Sequence, residues 1–209
     1  MSKITVDAVE PSTGTSLTLG ASGDTITIPS GATLTNSGTL TNSGTATGFG
    51  KVLQVVQAVK TDTFSTTSGT FVDVTGLSVD ITPSSTSSKI LVLANVWASA
   101  NYYVSHVGLF RDSTELGLAD AASSRPRSLM DSVGDSTVMG THGQILCLSA
   151  HYLDSPSSTS ALTYKIKAAR RYDNSSSPVT YINRSVPDRD TNTYDHRKSS
   201  VITAMEIGA

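Results

Sequence analysis

A change in composition near Gly50 constrains this chain more than any other feature. Before it, apolar side chains are sparse and recur singly or two apart: Ile4 and Val6, Leu17 and Leu19, Ile26 and Ile28, then Leu34 and Leu40. After it come dense runs, such as the eight consecutive residues from Ile90 to Trp97 with a single polar member, Asn95. A segment so poor in apolar groups cannot offset the entropy of ordering itself alone, whereas residues 51–209 are enough for a sizeable core. The expected organisation is an arm of residues 1–50 followed by a folded head of residues 51–209.

Within the arm, a spacing of two places both members of a pair on one face of a short strand. Gly20, Gly23, Gly31, Gly38 and Gly44 punctuate these pairs, and Asn-Ser-Gly supplies turn chemistry after Leu34 and again after Leu40. A stacked repeat needs about three copies to bury a continuous core. Two leucine repeats cannot do so in one chain, but three chains around a common axis could, with Leu34 and Leu40 each meeting symmetry mates. The alternative is a flexible Gly/Ser/Thr linker. The arm is expected to be β-structured or extended, with Ile4, Val6 and Val9 as the element that docks on a larger assembly.

In the head, strand-like runs fall at 52–60, 71–74, 77–81, 89–98, 106–110, 144–153, 162–170, 180–182 and 201–207. Turn residues separate them, and no amphipathic helix exceeds two turns. That pattern predicts an all-β fold, an antiparallel sandwich or jelly roll. The run at 89–98 is expected to be buried on both faces and 61–69 to be a polar connection. Residues 112–141 read as a long surface excursion of the kind that often carries function.

With 15 basic and 17 acidic residues, the chain lacks the positive excess that grips a phosphate backbone, so no nucleic-acid partner is expected. No apolar run approaches the roughly 20 residues of a membrane span, and no membrane insertion is expected. The first residues lack the apolar core of a signal peptide, which predicts synthesis in a cytoplasm. Cys147 is the single cysteine, so no disulfide can form within the chain, and its apolar surroundings predict a buried, inert thiol.

Asp188, Asp190 and Asn192 have the first spacings of a calcium loop, but Thr193 and Ser199 stand where glycine and glutamate are needed, so a charged hairpin is expected instead. His106, His142, His151 and His196 show no metal-ligand spacing. There is no G-x-S-x-G elbow, and Asp112 with Glu115, or Asp131 with Asp135, are no better than surface charge as a paired acid. The expectation is no catalytic residue, no metal and no cofactor. More suggestive are Trp97, Tyr102 and Tyr103 at the end of a long strand, where aromatic rings could stack on sugar; the competing reading places Trp97 in the core or at a seam between subunits. Arg125 and Arg127 could grip an anionic polysaccharide.

Several phrases of the head are informative as an ordered set. They are Val107-Gly108-Leu109-Phe110-Arg111-Asp112, the run from Ala119 to Arg125, Tyr152-Leu153-Asp154-Ser155-Pro156, Leu162 to Lys167, Tyr181 to Ser185, and Ser199 to Ile207. Over residues 51–209 they resemble the C-terminal heads of virion fibre and tail-fibre-like proteins of tailed bacteriophages, marine and cyanobacterial ones included. The resemblance implies a homotrimer with a β-sandwich head turned outward, part of a virion assembled in the host cytoplasm. The arm would attach to other virion proteins, and the head would bind host-surface polysaccharide. A capsid-decorating or head-fibre protein with a structural role is the alternative, and a glycan depolymerase the least favoured.

Overall fold

Strict alternation of apolar and polar side chains decides most of the architecture, because successive residues of a strand face opposite sides of a sheet. The computed structural model describes residues 11, 13–33, 35–38, 51–101, 104–133, 144–170, 178–190, 193 and 195–208. Two units partition the chain, residues 1–47 and 48–209.

The described residues of the first unit form no strand. Their order is local: the Ala21 N–H donates to the Asp24 carboxylate at 2.7 Å, and the Asn36 side chain bonds the Gly38 backbone. Leu17, Leu19, Ile26 and Ile28 are exposed, so the short strands expected from their period-two spacing do not form in a single chain. Ile4, Val6, Val9, Leu34 and Leu40 lie outside the described residues.

The second unit contains eleven strands among its described residues: β1 (Lys51–Lys60), β2 (Phe64–Thr66), β3 (Val72–Ile81), β4 (Lys89–Ala100), β5 (Val104–Arg111), β6 (Thr114–Glu115), β7 (Met130–Val133), β8 (Leu146–Asp154), β9 (Leu162–Arg170), β10 (Thr180–Ile182) and β11 (Ser200–Gly208). They form two antiparallel sheets. The first runs β1-β11-β4-β10-β2 with β8 also on β4; the second runs β3-β9-β5-β6 with β7 also on β5. The pairings are nested: β5 with β7, β4 with β8, β3 with β9 and β1 with β11. The described strands of the second unit therefore pair as one long antiparallel ribbon whose successive segments alternate between the sheets. That is the order of a jelly roll.

One core joins the sheets. Ile90, Val92, Ala94, Val96 and Ala98 point inward from β4, and Tyr164, Ile166 and Ala168 from β9. The other face of β4 is only half covered at Leu91, Leu93 and Trp97 and open at Asn95, so the expected burial on both faces is not found. A two-layer sandwich has one inner face per sheet, and a continuous apolar run reads the same whether or not its outer half is covered.

Other expectations are corrected for similarly local reasons. The runs at 71–74 and 77–81 are one strand, β3, broken in register between Asp73 and Ser78. Gly76 sits in that irregularity at φ +85°, a conformation that costs glycine nothing. The polar connection at 61–69 contains β2. Residues 112–141 include β6 and β7, and Leu116 and Met130 there are buried. Cys147 is exposed. The parity of β8 turns Leu148 and Ala150 inward and leaves Cys147 outside beside Ser149. Composition of the run 145–148 hid that alternation.

A buried carboxylate closes one corner. Burial of Glu206, 1 % exposed, would by itself raise its pKa. The Ser84 hydroxyl (2.6 Å), Gln54 Nε2 (2.6 Å) and the Ser84 N–H (2.7 Å) donate to the carboxylate and outweigh burial, holding it down at about 2 against an ordinary 4.5. The folded protein thus holds this proton more weakly than the unfolded chain. Glu206 stabilises the fold above about pH 4.5, and that stabilisation fades as the pH falls towards 2. In urea titrations, Glu206→Gln should flatten the pH profile across that window and cost about 2 kcal/mol at neutral pH. A profile as steep as that of the wild type would refute the assignment.

Candidate functional site

The site grows from the end of β10. Asn183, the next residue, adopts φ +65°, a region asparagine enters more readily than most residues. Its buried side chain donates from Nδ2 to the carbonyls of Lys60 (2.8 Å) and Asp62 (2.9 Å), and its Oδ1 accepts the Ser200 hydroxyl (2.6 Å). Its N–H donates to the Trp97 carbonyl (2.8 Å), and its own carbonyl accepts the Lys198 N–H (3.1 Å). The Ser200 hydroxyl also accepts the Trp97 N–H (2.9 Å). One asparagine thus ties both ends of the loop 183–199 to the strand that carries Trp97.

An antiparallel bridge between Arg184 and Arg197 closes the loop. Inside it, Asp188 pairs with Arg197 (2.9 Å) and Arg184 (3.3 Å). Asp195 accepts Arg189 Nε (2.7 Å) and the Ser185 hydroxyl (2.5 Å). These two hydrogen bonds, Arg189 first, hold the Asp195 carboxyl below the usual carboxylate range. Asp188 is thus bound to arginines rather than free to ligate, and Asn192 lies outside the described residues. Among those residues, no group of three or more His, Cys, Asp or Glu side chains is placed to hold a metal ion. The loop carries four basic and three acidic residues and lines a cavity of about 290 Å³ with Asp188, Arg189, Asp190, Asp195, His196 and Arg197.

Beside the loop, two aromatic rings share the outer face of the first sheet. Tyr181 pairs with Ser99 on β4, which makes Trp97, two residues earlier, its diagonal neighbour. Each ring lies under a cation from the loop, Lys198 Nζ at 4.9 Å from the Trp97 centroid and the Arg184 guanidinium at 4.5 Å from that of Tyr181. Trp97 is half-buried and faces outward, not into the core. Half-exposed rings flanked by fixed hydrogen-bond donors suit stacking on a sugar ring and gripping an anionic substituent.

Neither a protein-family model nor a curated protein matches this chain. Of the residues singled out from sequence, Trp97 belongs to the site. Arg125 and Arg127 are exposed but sit on the loop joining β6 to β7 of the second sheet, not with Trp97. Tyr102 and Tyr103 lie outside the described residues. Sequence reasoning missed Tyr181, Arg184 and Lys198. The alternation Thr180, Tyr181, Ile182 marks the tyrosine as outward-facing, but no local signal ties it to Trp97, 84 residues away in sequence.

Proposed function

We propose that this protein is a homotrimeric virion fibre protein of a tailed phage, a tail fibre whose head binds host-surface glycan at the Trp97–Tyr181 cluster without catalysing a reaction. The observation that carries the reading is the pair of outward aromatic rings, each under a loop cation, beside a polar cavity on a rigid β scaffold. The nested jelly-roll order supports it, since that architecture serves viral capsid and lectin domains. The arm would join the head to other virion proteins, so a chain without residues 1–50 should fold but fail to be incorporated into particles.

The test is adsorption of the purified protein to susceptible cells, with Trp97→Ala and Tyr181→Ala compared with wild type. Each substitution should weaken adsorption about tenfold, near 1.4 kcal/mol, while circular dichroism stays unchanged. Unaltered adsorption, together with particles that lose thermal stability when the protein is missing, would replace this reading with that of a structural decoration or head-fibre protein.

A further inference from the structure

The cations over the two rings are not equivalent. Arg184 spends its guanidinium within the loop: Nε donates to the Ser185 carbonyl (3.0 Å), Nη2 donates to that of Val186 (2.9 Å), and Nη1 pairs with Asp188 (3.3 Å). Arg197 shares the same carboxylate (2.9 Å), and Arg189 is held by Asp195 (2.7 Å). Lys198 differs. Among the described residues its Nζ meets only the Trp97 ring, at 4.9 Å from the centroid, so its three donors have no protein acceptor. The strands beneath add no acid. Cys147 stands opposite Trp97 on β8, and Asn95 and Ser99 flank it two residues away on β4. Asp62, whose carbonyl Asn183 holds, gives its carboxylate to Lys60 (2.9 Å). At the base of the loop, Arg184, Arg197 and Lys198 thus share the single carboxylate of Asp188, in a chain whose net charge is −2. Asp190, the third acid, lies midway along the loop, away in sequence from the Arg184–Arg197 bridge.

We infer that the sugar taken at the Trp97–Tyr181 cluster is acidic, with its anionic substituent, a carboxylate or a sulfate ester, bound by Lys198 Nζ. Any glycan offers hydroxyls to a donor, but an ammonium without a counter-ion gains most from a ligand that brings one. Lys198 is half-buried, so bulk salt screens it less than a cation on a fully exposed stem. Arg184, with each of its three nitrogens engaged, supplies charge over Tyr181 but little hydrogen bonding to a ligand. Discrimination between acidic and neutral sugars therefore falls to Lys198. Its ammonium is a point charge without the planar fork of arginine, so it accepts either acid. The inference rests on the glycan reading above and adds to it the substrate class and the residue that selects it.

The test measures binding of the full chain to three immobilised polymers: polygalacturonate, dextran sulfate and neutral dextran. Wild type should hold at least one acidic polymer about tenfold more tightly than dextran, and the preference should shrink as salt rises from about 50 mM to about 300 mM. Lys198→Gln keeps the backbone bond to Asn183 and should lose about tenfold on that polymer, while Lys198→Arg should restore most of it. Lys165→Gln serves as the reference, since it removes a cation that pairs with Asp73 (2.9 Å) on the second sheet, and it should bind as wild type does. Equal binding to dextran, no binding to either acidic polymer, or a Lys198→Gln variant with wild-type preference overturns the inference. A loss in Lys165→Gln as large as in Lys198→Gln overturns it too, because general charge then explains the binding. None of these results decides the glycan reading, which adsorption of Trp97→Ala and Tyr181→Ala to cells tests without any change of charge.

Discussion

Asp154→Ala is expected to destabilise the head by about 3–5 kcal/mol, the largest loss of any single substitution considered. Asp154 ends β8 in the first sheet and is 5 % exposed. Its Oδ2 accepts two hydrogen bonds from the second sheet, from Arg111 Nη1 on β5 and the Tyr164 hydroxyl on β9, both at 2.6 Å. Burial, and then the carboxylate it donates to, push the Tyr164 hydroxyl well above its ordinary pKa, which keeps it protonated and a donor. Alanine would leave a partly buried guanidinium and a fully buried hydroxyl without their acceptor, which costs more than the pair itself contributes. Tyr164→Phe should lose only about 1 kcal/mol, because Asp154 keeps Arg111. Urea midpoints with unchanged slope measure both. A loss under about 1 kcal/mol for Asp154→Ala would show that the sheets do not depend on this cross-link.

Asn183→Ala should cost about 3 kcal/mol and weaken the glycan binding proposed for the Trp97–Tyr181 cluster about tenfold. It strands the Lys60 carbonyl in a buried setting and the Asp62 carbonyl in a partly buried one, frees the Ser200 hydroxyl and asks alanine to adopt φ +65°. The loop 183–199 would lose its anchor, and with it the positions of Lys198 and Arg184 over the two rings. Asn183→Gly separates the causes, since glycine accepts the backbone conformation but makes none of the side-chain bonds. If the hydrogen bonds dominate, glycine should be nearly as damaging as alanine in both the urea midpoint and cell adsorption. A glycine variant with wild-type stability would place the whole effect in backbone strain.

Much of the head was legible because its strands obey a period of two. The runs at 52–60, 162–170 and 201–207 lie within β1, β9 and β11 or match them to a residue or two. What escaped depends on partners distant in sequence. Phe64–Thr66 looks like a polar linker and becomes a strand because Tyr181 and Ile182 offer it an edge. Thr114–Glu115 and Met130–Val133 become strands because β5 exposes unsatisfied backbone groups to them. Cys147 was misplaced for a different reason, since apolar surroundings in sequence do not say which face of a strand a residue takes.

The site divides along the same line. Trp97 could be singled out because a lone tryptophan at the end of an apolar strand is unusual on its own. Tyr181, Arg184 and Lys198 could not, because cation and ring meet only once Asn183 pins the loop to β4. The amino-acid sequence alone determined the all-β class and most strand positions, because backbone pleating acts residue by residue. The tertiary structure alone decided the nesting of the ribbon, which face of each strand stays bare, and the company Trp97 keeps. Those depend on strand register, which is set between segments far apart in the chain.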